Sequence, residues 1–149
     1  MTKEYFSQFL KENLPIADIA GITLKEFSDA SSQVQVSLSF ITQNPFKSMF
    51  WAVQGMAAEL STGVLCIDKI AKSTKNISML VIRQEADFTK KATGKITFTC
   101  KQGQEIDRAL QKAIETKEGQ VVIVESEGRD EEGDVVAIFR FTWSFKVRE

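Results

Sequence analysis

The sequence predicts an α+β fold in which an antiparallel sheet of about six strands curves around one long central helix. Two observations predict it. Several segments alternate apolar and polar residues, which is typical of strands that bury one face and expose the other. A long apolar segment from Ser48 to about Ile70 lies between the second and third of these strands. Helices that cover one face of such a sheet make a layered α+β domain.

In the first half of the chain, apolar residues at helical spacing predict a short helix over residues 3–13, which Pro15 ends. A first strand is expected from Ile19 to Phe27, before a turn cluster at residues 28–32. Strict alternation then predicts a second strand, whose buried face carries Val34, Val36, Leu38 and Phe40.

The second half of the chain again mixes strands with a helix. A third strand begins near Ile77, and a fourth is predicted from Gly94 to Cys100. Residues 104–117 form the clearest amphipathic helix, because their apolar residues recur every three or four positions. The last two strands are expected from Val121 to Glu125 and from Val135 to Val147.

The composition excludes several classes of protein and site. The 149 residues suit one domain, residues 1–149, and their net charge of −1 is not that of a nucleic-acid binder. The absence of histidine removes Ser-His-Asp and Cys-His nucleophiles and every His-ligated metal site. Two cysteines are too few for a structural zinc site or a disulfide framework. We expect no metal and no cofactor.

The N-terminus and the long apolar segment indicate in which cellular compartment the protein is expected. The first residues lack the apolar core of a signal peptide, and the low cysteine content favours a reducing cytoplasm. The segment from Ser48 to Ile67 has the length of a membrane span, but Gln54, Glu59 and Ser61 inside it would be costly in lipid. We therefore expect a cytoplasmic protein without a membrane partner.

Glu59 is the only charged residue between Ser48 and Ile67. A helix that is apolar on every side is expected to be surrounded by other structure. Burial among apolar groups raises the pKa of a carboxyl and costs free energy unless the group finds partners. Three interpretations are open: a structural glutamate that meets Arg83, Lys95 or a water at a dimer seam, a helix rotation that turns the carboxylate into a solvent cleft, or an acid kept for chemistry.

The stretch from Asn44 to Ser61 resembles the motif of hot-dog fold thioesterases. The family pattern there is an Asn, a Gly-Thr pair, His-Gly-Gly at the start of the central helix, and an acidic residue near its middle. Asn44 matches the first of these, and Glu59 falls at the spacing of the acidic residue. Residues 133–137, Gly-Asp-Val-Val-Ala, are similar to the family's Gly-x-x-x-Ala turn before the last strand. The phenylacetate-pathway branch is the most similar.

The resemblance implies both a fold and a function. The fold is a curved antiparallel sheet around a long helix, paired through the sheet into a homodimer or a dimer of dimers. The substrates are acyl groups on coenzyme A or acyl carrier protein, bound at the dimer interface. Glu59 would act as base or nucleophile, and Asn44 would position an attacking water. The backbone amides of Trp51 and Ala52 would polarise the thioester carbonyl, with Phe50 beside the substrate.

Several residues depart from the family pattern. Lys47 and Ser48 stand at the Gly-Thr pair, Phe50 replaces the His, and Trp51 and Ala52 replace the two glycines. Trp51 is bulky where glycines let a thioester approach, so it closes the site, reshapes it for a small acyl group, or ends catalysis. The alternative function is therefore a non-catalytic acyl-binding or assembly module on the same dimeric fold. A third interpretation is an unrelated α+β cone similar to nuclear-transport-factor domains, which strand order would distinguish.

Other candidate site residues each have a simpler interpretation. Asn44 precedes a proline and suits an ordinary turn. Thr62 shares the helix face of Glu59, and it either contacts the substrate or bonds back to a helix carbonyl. Lys90 and Lys91 either contact the phosphates of coenzyme A or are solvated.

Overall fold

The computed structural model describes residues 1–149, which form four helices and six strands. The helices are α1 (Lys3–Asn13), α2 (Pro15–Ile19), α3 (Trp51–Ser73) and α4 (Gly103–Thr116). The strands are β1 (Thr23–Phe27), β2 (Ser32–Ser37), β3 (Ile77–Phe88), β4 (Lys95–Cys100), β5 (Gln120–Arg129) and β6 (Val135–Val147). This content confirms the predicted α+β class.

All six strands belong to one antiparallel sheet, in the order β1-β2-β4-β5-β6-β3. The long helix α3 connects β2 with the edge strand β3, so it crosses the inner face of the sheet on the way. It contacts β2, β4, β5 and β6 along its length. The prediction of a curved sheet around one long central helix is therefore confirmed.

The inner face of β6 and the helix α3 form the centre of the core. Phe139, Trp143 and Phe145 of β6 point inward and are at most 5 % exposed. Gly55 and Gly63 lie where α3 passes closest to this strand. A Cβ added at these two positions would lie 3.6 Å from the Phe139 ring and 3.5 Å from the Trp143 ring. Small residues thus let the helix lie directly on the aromatic face.

Three buried serines fix α3 against its neighbouring strands. The Ser61 hydroxyl donates to the Ala58 carbonyl oxygen at 2.7 Å and lies 2.7 Å from the hydroxyl of Ser126 in β5. The Ser32 hydroxyl of β2 donates to the Ser61 carbonyl oxygen. Buried hydroxyls need such partners, so these bonds restrict the rotation of the helix. That rotation decides where Glu59 points.

The strand β3 forms a long edge of the sheet. Its 12 residues pair only with β6, and the register shifts between Val81 and Arg83. Leu80 and Ile82 on this strand are both more than half exposed. An edge strand presents unpaired backbone N–H and C=O groups, which pair readily with a strand of another chain.

The loop between β2 and α3 exposes large apolar side chains. Because β2 ends at Ser37, the prediction that Phe40 lies on its buried face is wrong, and this side chain is 86 % exposed. Ile41 and Phe46 on the same loop are exposed as well. Single exposed apolar residues are ordinary, but several together mark an interaction surface.

Other element boundaries also differ from the predicted ones, and β5 continues past Glu125 to Arg129. Pro15 follows α1 but also opens α2, at the first helical position, where its missing N–H removes no bond. The first strand therefore begins only at Thr23. The long helix starts at Trp51, because Asn44 holds residues 44–48 in a turn. None of the helices combines the length and the hydropathy needed to cross a membrane.

Candidate functional site

The start of α3 leaves two backbone donors free. Phe50 is the N-cap residue, with φ and ψ of −60° and 133°, and no side chain caps the helix. The N–H groups of Val53 and Gln54 donate to the Phe50 carbonyl oxygen at 3.0 and 3.3 Å. The N–H groups of Trp51 and Ala52 have no hydrogen-bond partner. Free donors at a helix start suit a negatively charged oxygen.

Asn44 organises the loop that leads into α3. Its Oδ1 accepts the N–H groups of Phe46 at 2.9 Å and Ser48 at 3.2 Å, and its Nδ2 donates to the Ser48 hydroxyl at 3.1 Å. Asn44 is thus the turn residue of the simpler interpretation. Lys47, at the glycine position of the resembled motif, has a left-handed backbone with φ of 61°. Such a backbone favours glycine, so the loop retains the shape of a glycine turn.

A cleft of about 530 Å³ opens beside the start of α3. Its volume lies in the range of small-ligand sites. Half of its 12 lining residues are hydrophobic, two are lysines, and none carries a carboxylate. The hydrophobic part of its wall includes Phe46, Met49, Phe50, Trp51, Phe88 and Ala92.

Phe50 and Trp51 both line this cleft without filling it. Their rings meet edge to face, with centroids 6.0 Å apart and an interplanar angle of 66°. About half of each side chain is exposed. The bulk of Trp51 therefore shapes the space beside the free N–H groups and leaves it open.

Gln54, on the first turn of α3, also lines the cleft and is only 5 % exposed. Its Nε2 donates to the Met49 carbonyl oxygen at 3.3 Å. Its Oε1 is buried and has no hydrogen-bond partner. Sequence reasoning noted this residue as a polar group of the apolar segment but did not assign it to the site. The available signal was an amide among apolar residues near the start of a helix.

Glu59 lies on a face of α3 that the rest of the chain leaves uncovered. The residue is exposed, and Ala52, two turns earlier on the same face, is partly exposed. Its carboxylate makes no ion pair, and Arg83 lies 3.9 Å from Glu85 instead. Within one chain, Glu59 is therefore not buried and makes no ion pair with Arg83 or Lys95. A contact with Arg83, Lys95 or a water at a dimer seam stays a prediction. The interpretation that the helix turns Glu59 toward solvent agrees with the structure.

The Glu59 carboxyl has a raised pKa and lies away from the cleft. The pKa of its carboxyl is raised because neighbouring protein displaces water from it, although the residue as a whole stays exposed. It does not line the cleft. It lies eight positions after Trp51, which corresponds to about 12 Å along the helix axis.

Thr62 is fully buried, and both hydrogen bonds of its hydroxyl are made within the core. Its hydroxyl donates to the Glu59 carbonyl oxygen at 2.8 Å and accepts the indole N–H of Trp143 at 2.9 Å. The simpler interpretation, back-bonding to a helix carbonyl, describes this residue. Thr62 thus helps to hold α3 on β6, and it does not reach the cleft.

Lys90 and Lys91 follow β3 and both line the cleft. The Lys90 ammonium donates to Asp130 at 2.7 Å, to Asp134 at 2.8 Å and to Glu132 at 3.3 Å. These bonds raise the pKa of Lys90 and lower the pKa of Asp130. Lys91 is exposed and makes no ion pair, so its charge is available to a phosphate.

Solved structures of several bacterial proteins are similar to this chain. A Pseudomonas aeruginosa protein of unknown function, described as a probable thioesterase, has a TM-score of 0.81 at 18 % identity, over 99 % of this chain and 97 % of its own. A Haemophilus influenzae thioesterase has a TM-score of 0.74 at 14 % identity, over 99 % and 92 %. A Staphylococcus aureus thioesterase with a glutamine replaced by alanine has a TM-score of 0.67 at 10 % identity, over 89 % and 98 %.

These similarities show the hot-dog fold that the motif resemblance implied. Together with the strand order, they exclude the alternative fold, the α+β cone similar to nuclear-transport-factor domains. A second structure of the staphylococcal protein replaces a glutamate that lies fifteen residues after that glutamine. No curated protein is significantly similar in sequence. The family model DUF4442, described as a domain of unknown function, matches residues 2–145.

Proposed function

We propose that this chain, which belongs to the DUF4442 family, hydrolyses acyl thioesters of coenzyme A or acyl carrier protein at a site shared by two copies of the chain. The observation that carries the proposal is the pair of free N–H groups at Trp51 and Ala52, of which Trp51 itself lines the apolar cleft while Ala52 does not. Hydrolysis of a thioester passes through an oxyanion, and fixed backbone donors stabilise that charge. Glu59 supplies the base or nucleophile that the other half of the reaction needs.

One copy of the chain cannot bring these groups together. The N–H groups of Trp51 and Ala52 point out beyond the helix end, so a carbonyl bound there lies further from Glu59 than Trp51 itself. Trp51 and Glu59 are already about 12 Å apart along the axis. Reacting atoms must approach to about 3–3.5 Å, which an extended glutamate side chain cannot achieve over this span. The geometry therefore favours Glu59 of one copy acting with the helix start of another.

Two surfaces suit the required homodimer. The open edge of β3 offers backbone groups for pairing with the same strand of a second copy, which would make one continuous sheet. Phe40, Ile41 and Phe46 expose apolar area on the loop before α3.

The spacing of the staphylococcal variants supports the choice of residues. The glutamine and the glutamate replaced there are fifteen residues apart, as are Asn44 and Glu59 here. We assign Asn44 to the cleft wall, where it shapes the loop and faces the ligand. Lys91 is the better contact for the phosphates of coenzyme A, since three carboxylates already neutralise Lys90.

A second candidate is an acyl-binding module without catalysis. The specific observation that favours it is the Phe50 and Trp51 pair, which stands where the resembled motif has a histidine and a glycine. In this case the cleft would hold an acyl group, and no water would be activated.

Release of free thiol from a panel of acyl-coenzyme A esters and an acyl carrier protein tests the proposal. We expect turnover by the wild-type protein and a loss of roughly 10²–10⁴-fold in Glu59→Gln, because the variant lacks the base. Glu118→Gln makes the same change at an exposed glutamate without an ion pair and should keep full activity. Equal rates for wild type and Glu59→Gln would refute the role of Glu59. Binding of acyl-coenzyme A without any thiol release would favour the second candidate.

A further inference from the structure

The Gln54 side chain is an unexplained buried acceptor in the wall of the cleft. It is 5 % exposed, and its Oε1 has no hydrogen-bond partner. A carbonyl oxygen can only accept a hydrogen bond, so the amide atom of Gln54 that bonds to the Met49 carbonyl oxygen must be the donor Nε2. The other amide atom is therefore the acceptor Oε1. The acceptor is therefore held in place and left free.

Nothing in the folding of the chain requires this acceptor. A buried polar atom without a partner destabilises the protein that carries it, and a methionine or leucine would fill the same volume without that loss. A donor on a bound ligand would satisfy this acceptor. Gln54 is one of the residues that line the cleft, so its side chain borders the space that a ligand would occupy.

The position of Gln54 indicates which part of the ligand it meets. It lies three residues after Trp51, which places it about 4.5 Å further along the axis and about 60° around the helix. The free N–H groups of Trp51 and Ala52 are thus its close neighbours. A group that bonds to Oε1 must lie within a few covalent bonds of the carbonyl that those N–H groups hold.

The lining of the cleft indicates that this group is uncharged. No carboxylate lines the cleft, and the charge of Lys91 is unpaired, so a cationic donor would meet repulsion from Lys91. The aromatic rings of Phe50, Trp51 and Phe88 would also remove its hydration. A neutral N–H or O–H meets neither obstacle.

We infer that Gln54 Oε1 accepts a hydrogen bond from a neutral N–H or O–H group close to the thioester carbonyl, and thereby selects ligands that carry such a donor. The inference rests on the proposed function. Two parts of the ligand supply this chemistry: a hydroxyl on the acyl chain, or the first amide of the pantetheine arm. A site that hydrogen-bonds a ligand donor rejects the analogue that lacks it, because its own polar group is then left unpaired.

Calorimetric binding of stable ketone analogues, with a methylene between sulfur and carbonyl, tests the inference. One pair of analogues carries or lacks an acyl hydroxyl near the carbonyl. The other pair carries the pantetheine amide or its N-methyl form. We expect the wild-type protein to lose roughly ten- to a hundredfold in affinity when the selected donor is removed, and Gln54→Met to bind that pair equally. Gln43→Met, at an exposed glutamine on the neighbouring loop, should keep the wild-type preference.

The outcomes separate this inference from the proposed function. Wild-type binding of all analogues without preference in either pair would overturn the role of Gln54 and leave the proposed function standing. Failure of every analogue to bind would overturn both. Thermal unfolding supplies the structural control: Gln54→Met, and Gln54→Leu as a second variant, should melt within a few degrees of wild type. A large fall in the melting temperature of both variants would show that Gln54 serves the fold, and would overturn the inference.

Discussion

The replacement Trp51→Pro removes one proposed oxyanion donor with little other change to the backbone. Trp51 is the first residue of α3, and its N–H makes no hydrogen bond within the chain. Proline is favoured at this helical position, because its missing N–H is one that the helix does not use. The residue before a proline must be extended, and Phe50 already has φ of −60° and ψ of 133°. The helix should therefore form as before.

The expected effect follows from the loss of one of two fixed donors. Removing a single oxyanion donor typically lowers kcat by about 10²–10³-fold, or about 2.7–4 kcal/mol of transition-state stabilisation. Trp51→Ala is the matched control, because it removes the same ring and keeps the N–H. We expect thiol release to fall by that factor in Trp51→Pro relative to Trp51→Ala. Circular dichroism of both variants checks that the helix is intact.

Mixing two inactive variants tests whether the site is shared. Trp51→Pro and Glu59→Gln chains, co-expressed or refolded together, should form mixed dimers in which one of the two sites has both an intact helix start and an intact carboxylate. With random pairing, about one quarter of wild-type activity should return. Absence of recovery in dimers that have exchanged subunits would refute a shared site. Equal activity of Trp51→Pro and Trp51→Ala would refute the donor role of the Trp51 N–H.

Two further predictions concern stability. The raised pKa of Glu59 means that the folded chain binds this proton more tightly than the unfolded chain, so the associated stability is present at acidic pH and is lost as pH rises through the folded-state pKa. In urea unfolding, Glu59→Gln should therefore be more stable than wild type at pH values above that pKa and equally stable at acidic pH. Equal stability of the two proteins at every pH would contradict this prediction. A Cβ at Gly103 would overlap the Asp29 carbonyl oxygen, whereas one at Gly119 would lie 3.8 Å from its nearest neighbour. We expect denaturant unfolding to show a loss of about 1–3 kcal/mol for Gly103→Ala relative to Gly119→Ala, and similar stability of the two variants would contradict the close approach.

The regular elements were predictable because their signals are local. Alternation in β6 assigns Phe139, Trp143 and Phe145 to the inner face from period two alone, and the structure buries all three. Helical spacing similarly marks α4. Phe40 shows the limit of this reasoning, because alternation continues past Ser37 although the strand does not. Bonds from the Thr42 hydroxyl end the strand there, and no periodic pattern records them.

The candidate site was less predictable because it depends on how the elements pack. Periodicity places Glu59 on a helix but does not determine which of its faces the sheet covers, and bonds from Ser32 and Ser126 help to determine that rotation. Lys90 meets carboxylates forty or more residues away, which spacing along the chain cannot indicate. The acceptor Oε1 of Gln54 was not predictable either, because its position depends on the bond that Nε2 donates to the Met49 carbonyl oxygen.

The uncapped start of α3 argues that the free donors are retained for use. Phenylalanine is a poor N-cap, and a serine, aspartate or asparagine at Phe50 would stabilise the helix by roughly 0.5–2 kcal/mol through a bond to a first-turn N–H. A chain selected only for folding would gain from that cap, but the cap would compete with a ligand for the donors. The departures from the resembled motif change side chains. The N–H donors belong to the backbone, so these replacements do not remove them. On the proposed function, changes at Phe50, Trp51 and Ala52 would therefore alter which acyl group fits the cleft more readily than they would remove the means of polarising its carbonyl.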